Sequence, residues 1–491
     1  MAKAKVGIVL SDIFSVRNFF FTPLWDELNR AEDYEFVFVT FDDEHEAYVS
    51  ENGGSHISWQ KLGRREGLGQ SVKHFLKAPS LAAAGQCARL VFEKINSYMR
   101  LLTYKQICYR FNEVAGFSTH RIKKELHKEF DETGVSPLYG WPMPESPSLL
   151  ALLRKVYQAD FWPTAEWIKT LFDDAELDRI LIALPQSVTG FDLTREARRR
   201  GVPVSVYVNS WDQPTIKGPF PPGIDDFMVW NAQMKEELIR YHGIPGDKVE
   251  VVGAAHLDVF ADKGLLLPRE EFLVHLGLPS NAKFVLYGAY VPSVSPNEPE
   301  IIDYLADQFE KGTFGEDVYV IFRPHPVDEG WKTRFAAALN SDRIIGRPSN
   351  SYANETGLSD LQELTNLLNH AQFVCTGPST LTLDSLCFGT PVINVAFDGS
   401  EGEGCLGQFY GVTHYVPVMQ SGGCKVVKNF DELDAAIFAY VENRDKDMEL
   451  RVSAKARFCD PFDGSAGNRI YNAMIKGVTL TGEGSHAVKQ P

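Results

Sequence analysis

The stretch Gln372–Gly399, QFVCTGPSTLTLDSLCFGTPVINVAFDG, constrains the fold of this chain more tightly than any other. QFVC is a short apolar run of the kind that forms a buried strand, and TGPST is a Gly/Pro turn. LTLDSLCFG reads as a short helix closed by Gly389, and TPVINVAF supplies the next strand. Strand, turn, helix and strand in that order make an α/β crossover unit. The first turn of such a helix presents unpaired backbone N–H groups and a partial positive charge. That puts Gly377, Pro378, Ser379 and Thr380 where a phosphate is held. Asp384, one turn further in, is spaced to reach polar groups of whatever carries the phosphate. The same residues admit a plainer reading, with Ser379 as the N-cap of an ordinary crossover helix.

A second element lies about fifty residues earlier by the same numbering. VYVIFRPHPVDEG runs an apolar strand into Arg323-Pro324-His325-Pro326, and prolines on both sides hold the histidine in a stiff, extended turn. Ligands of open α/β sheets bind at the carboxyl ends of the strands, where both motifs fall. Arg323, His325 and Pro326 therefore join the 377–380 turn as phosphate-binding candidates.

RPHP followed by GPSTLTLDSLCFGTPVI resembles the C-terminal half of bacterial surface- and capsular-polysaccharide enzymes of glycosyltransferase-B (GT-B) architecture, including the CDP-glycerol glycerophosphotransferase-like group. It is also similar to the His-Pro and Ser/Thr-rich motifs of bacterial sialyl- and Kdo-transferases with CMP-linked donors. The resemblance runs from about Val204 to Ile470. It implies an α/β fold of two Rossmann-like parallel-sheet domains facing a cleft, with the nucleotide donor on the second.

Length and composition agree with this. The 491 residues exceed one ordinary core, and 44% apolar with 23% charged residues marks a globular chain. A formal charge of −16, from 49 basic and 65 acidic residues, argues against nucleic acid as the main partner. The opening MAKAKVGIVLSDIF is too short an apolar run, ended by Asp12, to be a signal peptide, and nothing approaches the roughly 18 apolar residues of a membrane span. Seven scattered cysteines without a CxxC pair suggest neither a disulfide framework nor a zinc site, and fit a reducing cytoplasm.

Taken in order, residues 1–262 form an N-terminal acceptor domain, with a helical insertion at about 63–155. KVGIVLSD and YEFVFVTFDD flank a helical segment as a βαβ opening. Asp12 ends its first strand, either as a helix N-cap or as a general base facing the cleft, with Ser15 and Arg17 beside it. Positive charge gathers at Lys61, Arg64 and Arg65 and again from His120 to Lys128. Those runs are solvated helix faces or a landing site for an anionic acceptor or lipid-carrier head-groups at the inner membrane surface. NSWDQPTIKG, Asn209–Gly218, resembles the SWDN-type loop of the same enzyme group, departing from it at Gln213 and Pro214. Trp211, Asp212 and Lys217 follow a strand and so sit at the ligand edge, unless they only anchor the loop. VVGAAHLD is similar to the interdomain junction of the group, where Gly253 permits close backbone approach and is a candidate for the cleft wall on the acceptor side. Residues 263–462 form the donor domain, with a Ser/Pro-rich loop Pro292–Pro299 long enough to act as a flap and a Gly-rich, acidic, mobile loop Phe397–Gly411. Residues 463–478 resemble a last helix crossing back onto the first domain, and 479–491 read as a disordered tail.

The resemblance implies transfer of a sugar from a nucleotide-activated donor, CMP-, UDP- or otherwise NDP-linked, to a surface glycan or lipid-linked acceptor. Arg323, His325 and the Ser379 helix would neutralise the leaving phosphate, with Asp12 as base and inversion at the anomeric carbon. No metal or other cofactor is then required, and Asp42-Asp43 and Asp225-Asp226 are adjacent turn pairs rather than a DxD motif. The competing readings are phosphoalcohol transfer from a CDP-linked donor, with histidines as candidate bases, a sugar-nucleotide 2-epimerase, and a non-catalytic nucleotide-sugar-binding scaffold.

Overall fold

The computed structural model describes residues 3–62, 105, 107–109, 111–112, 164–349, 358–404 and 406–478. The helical insertion, its basic clusters beyond Lys61 and the 479–491 tail fall almost wholly outside them. The first domain carries β1 (Ala4–Leu10), β2 (Tyr34–Thr40), β3 (Ile57–Lys61), β4 (Arg179–Ile182), β5 (Val204–Tyr207), β6 (Asp226–Val229) and β7 (Val249–Val251). The second carries β8 (Lys283–Gly288), β9 (Val318–Arg323), β10 (Ile344–Gly346), β11 (Val374–Thr376), β12 (Val392–Val395) and β13 (Lys425–Val427). All neighbours pair in parallel, in the orders β3-β2-β1-β4-β5-β6-β7 and β10-β9-β8-β11-β12-β13. Each sheet therefore reverses direction of winding once, between β1 and β4 and between β8 and β11, and such reversals open a crevice at the carboxyl edge.

The strands are near-continuous apolar runs because helices cover both faces. Along β8 the period of two sends Phe284 and Leu286 into the large cluster shared with the first domain, and Val285 and Tyr287 into the outer cluster of the second. Between the strands the caps set helix lengths. Ser187 Oγ accepts from Gly190 N at 2.9 Å to start the helix Val188–Arg200, and Gly201, at φ +72°, ends it.

The chain returns to the first domain through the helix Ala466–Ile475. Asp258, in the junction helix Ala255–Ala261, receives Ala466 N (2.9 Å) and Gly467 N (2.7 Å), taking up two orphan donors of the helix start. Gly467 lets the backbone at Pro23–Leu24 approach: a Cβ there would lie 2.7 Å from Leu24 N. No helix among the described residues is long and apolar enough to cross a membrane.

Two loop readings change. The Pro292–Pro299 segment is no free flap, because the helix Glu298–Glu310 begins inside it and Glu298 is buried. The start of the acidic Gly-rich loop is also fastened, since Asp398 is 1% exposed and takes Ser295 Oγ (2.8 Å) and Asn297 N (3.1 Å). Long-range hydrogen bonds that composition does not show tie the two segments together at Ser295, Asn297 and Asp398.

Candidate functional site

Gly288 ends β8 and pairs with Arg323 on one side and Thr376 on the other. The two motif turns thus leave the same sheet edge two strands apart, about 10 Å at ordinary strand spacing. The loop between them is packed tightly. Thr376 Oγ1 donates to Gly288 O (2.9 Å), Tyr290 OH to Pro378 O (3.1 Å), and a Cβ on Gly377 would lie 2.7 Å from the Tyr290 ring. Ser379 opens the helix Thr380–Cys387 in extended backbone conformation, and its side chain does not cap the helix. Ser379 is half-buried and Thr380 exposed, so the first-turn amides stand at an accessible surface.

His325-Pro326-Val327-Asp328 forms a turn closed by Asp328 N on His325 O at 2.8 Å, with proline at the second position, where its fixed φ belongs. Val327 N donates to His325 Nδ1 at 3.3 Å, which places the proton of the neutral ring on Nε2. Burial holds this imidazole below its ordinary value, against the opposing pull of Asp328.

Arg323 is occupied differently. It is 8% exposed, its Nη2 lies 2.7 Å from Asp360 Oδ1, and Nη1 has no partner. Its guanidinium braces the turn against the helix Leu358–His370 rather than standing as an unpaired cation.

Across the junction, Asp384 Oδ1 approaches His256 Nε2 at 3.6 Å, a contact rather than a good hydrogen bond. Burial lowers the pKa of His256, which keeps it neutral beside the carboxylate. Arg17 lies close enough to disfavour protonation of His256 further, and its Nε is buried without a partner.

The 209–218 loop reaches the second domain. Trp211 is buried against His414 (ring centroids 4.7 Å) and Tyr415 (5.7 Å), and Thr215 Oγ1 pairs with His414 Nδ1 at 2.8 Å. Trp211 is thus an interdomain anchor. Burial pushes His414 down to about 4, so it stays neutral in this contact. Gln213, at the departure from the SWDN pattern, accepts Asn209 N through Oε1 at 3.0 Å and holds the loop shut. Asp212 is half-buried, takes Ser210 Oγ, and adds its charge to burial in raising the Tyr290 phenol. Asp212 thus carries its charge near the Tyr290 phenol, whose OH donates to Pro378 O.

Asp12 and Ser15 form a capping box. Asp12 Oδ1 accepts Phe14 N (2.9 Å), Ser15 N (3.0 Å) and Asn209 Nδ2 (3.0 Å), and Ser15 is fully buried. Ser15 therefore offers nothing to an acceptor, and the Asp12 carboxylate serves its helix and the Asn209 loop. Gly253, at φ +90°, packs beneath the returning helix, where a Cβ would lie 2.9 Å from Ala466 Cβ. It belongs to the domain junction and not to the cleft wall. Lys217 is partly exposed at the end of the same loop as Asp212. Among the described residues no three His, Cys, Asp or Glu side chains are grouped to hold a metal ion. A separate cavity of about 330 Å³, lined by Pro219, Phe220, Phe227, His242 and Lys248 among others, lies at the amino ends of β6 and β7, the opposite sheet edge.

Sequence reasoning missed Tyr290, Glu298, Arg334 and Asp398, which fasten the motif loops. Burial pushes Glu298 up to about 8 although Tyr290 N (2.9 Å), Tyr287 OH (3.2 Å) and Arg334 (3.7 Å) surround it. The glutamate and proline at Glu298-Pro299 were a helix-start signal that could have marked Glu298.

The pattern of the CDP-Glycerol:Poly(glycerophosphate) glycerophosphotransferase family matches residues 229–476, just over half of the chain. The chain belongs to this family. It is a transferase, and its two parallel-sheet domains have the GT-B fold. No curated protein matches the transferase in sequence. Its fold is similar to that of a candidate UDP-N-acetylglucosamine 2-epimerase from Listeria monocytogenes, at 14% identity and TM-score 0.55, over 97% of this chain and 96% of that one. It is also similar to S. aureus MnaA solved with UDP (12%, TM-score 0.53, 98% of each chain). A third is the Neisseria meningitidis UDP-GlcNAc 2-epimerase bound to UDP-GlcNAc (12%, TM-score 0.51, 96% of this chain and 100% of that one). At these identities the likeness concerns the fold alone.

Proposed function

We propose that this transferase moves a phosphoalcohol unit from a CDP-linked donor to a hydroxyl of a surface glycan or lipid-linked acceptor. The observation that carries the reading is that the His325 turn and the Ser379 helix start flank Gly288 at one carboxyl edge, inside the stretch that matches the family. In this scheme His325 donates through Nε2–H, and the first-turn amides after Ser379 supply fixed donors to the donor's phosphates, without a metal ion. The same scheme assigns Asp384 to the group carried on those phosphates, and Arg17 and Lys217 to the acceptor.

Asp212 is the better base for the acceptor hydroxyl. The Asp12 carboxylate already accepts three donors that tie it to its helix and to the Asn209 loop, whereas Asp212 accepts Ser210 Oγ and carries its charge near the Tyr290 phenol, which donates to Pro378 O. The hydroxyl oxygen attacks the β-phosphorus of the donor, its proton passes to Asp212, and the phosphoanhydride bond breaks with CMP as the leaving group.

Sugar transfer from a nucleotide sugar is the second reading. Arg323 and Arg334 are both paired with carboxylates, which leaves the neutral His325 and the helix-start amides to meet the leaving phosphate in either reading. The acceptor oxygen would then attack the anomeric carbon and the nucleotide would leave with the glycosidic oxygen.

Incubation with CDP-glycerol, CMP-sugars and UDP-sugars, followed by chromatography of released nucleotide, separates the two. CMP released from CDP-glycerol supports the first, nucleotide released only from sugar donors supports the second, and tight binding with every donor intact overturns both in favour of a scaffold.

A further inference from the structure

Two segments at the carboxyl edge of the second sheet meet on one side chain, and a third is tied to one of them. Arg334, at the end of the short helix Trp331–Arg334, donates through Nη1 to Asp328 Oδ2 at 3.0 Å and through Nη2 to Ser295 O. Its Nη2 also lies 3.7 Å from Glu298 Oε2. Asp328 closes the turn that starts at His325, Ser295 lies in the loop after β8, and Glu298 opens the helix that ends that loop. Glu298 receives Tyr290 N, Tyr290 OH donates to Pro378 O, and Ser295 Oγ donates to Asp398 at the end of β12. One guanidinium thus links the His325 turn to the loop that holds the Pro378–Ser379 turn and to the loop after β12. Its side chain is 16% exposed, so water competes little for these bonds.

The turn it braces fixes the imidazole. Val327 N can donate to His325 Nδ1 only while the 325–328 turn stays closed, and that bond selects the tautomer with the proton on Nε2. We propose that Arg334 is a positioning residue for His325: by clamping Asp328 to the Ser295–Glu298 loop it keeps the turn closed and the imidazole in its Nε2–H form. The kinetic part of this rests on the donor role of His325 proposed above, and the tautomer part does not.

The test is long-range ¹H–¹⁵N correlation of histidine-labelled protein without donor, with His325 assigned by the signals lost in His325→Ala. Wild-type protein is expected to show separate ring-nitrogen shifts for a fixed Nε2–H tautomer. Arg334→Ala should move them to the averaged values of a tautomer mixture and lower turnover at least tenfold, while Arg334→Lys, lacking the fork, falls between. Asp328→Asn, which removes the charged arm with little change of shape, should move the same signals, and it decides the matter should Arg334→Ala not fold. Wild-type His325 shifts in a folded Arg334→Ala or Asp328→Asn protein overturn the proposal. Shifted signals together with normal turnover of His325→Ala would leave the positioning role standing and remove His325 from the donor site.

Discussion

His325→Ala tests the site most sharply because the structure says which atom is lost. Nδ1 is taken by Val327 N, so Nε2–H is the only donor the neutral ring offers to a phosphate. A well-placed donor to developing charge is worth about 3 kcal/mol, which corresponds to roughly a hundredfold in kcat. Glutamine can carry an amide N–H to nearly the same place, so His325→Gln should recover part of that loss where alanine recovers none. The pH dependence has a definite sign. Burial sets the folded pKa below the ordinary 6.5, so the unfolded chain takes up the proton first as pH falls. The contribution of His325 to stability is full above pH 6.5 and is lost as pH falls from there through the lowered folded value. Initial rates of nucleotide release, measured at neutral pH on protein shown to be folded by circular dichroism, provide the assay. Alanine and glutamine variants with equal, near-normal kcat would refute the reasoning, because no donation through Nε2 could then matter.

Three further outcomes are expected. Asp212→Asn should lower kcat by two or more powers of ten while leaving nucleotide affinity within a fewfold, whereas Asp12→Asn should cost about 1 kcal/mol in chemical denaturation, the scale of a lost cap, with a smaller effect on kcat. The opposite ranking of the two in steady-state kinetics would return the base to Asp12. Arg323→Ala removes the buried cation paired with Asp360 and should cost about 3–5 kcal/mol, seen as a lower urea midpoint before any change in donor affinity. Gly467→Ala forces a Cβ to within 2.7 Å of Leu24 N and should cost about 1–3 kcal/mol in thermal unfolding, since backbone lies on both sides of that contact.

The architecture was legible because parallel sheets covered on both faces leave apolar runs at regular intervals, and each motif sat after such a run. The turn chemistry of RPHP and TGPST was legible for the same local reason, since proline and glycine fix backbone shape wherever they stand. What holds those turns was not legible. Arg323 meets Asp360 across 37 residues and Ser295 meets Asp398 across 103, and no spacing rule connects partners that only the fold brings together. Composition did not show the anchors of the Pro292–Pro299 and Phe397–Gly411 loops, which are the buried Glu298 and Asp398. Asp12 shows the converse. Its place after the first strand allowed a cap or a base, and only the three donors converging on it show how it is engaged.

The central claim is that one sheet edge presents an imidazole and a helix start to the same set of phosphates. A crystal structure of the protein with CDP bound tests it most directly. Phosphate oxygens are expected within hydrogen-bonding distance of His325 Nε2 and of the backbone amides of Thr380 or Leu381. A diphosphate seated anywhere else, with both groups facing solvent, would contradict it.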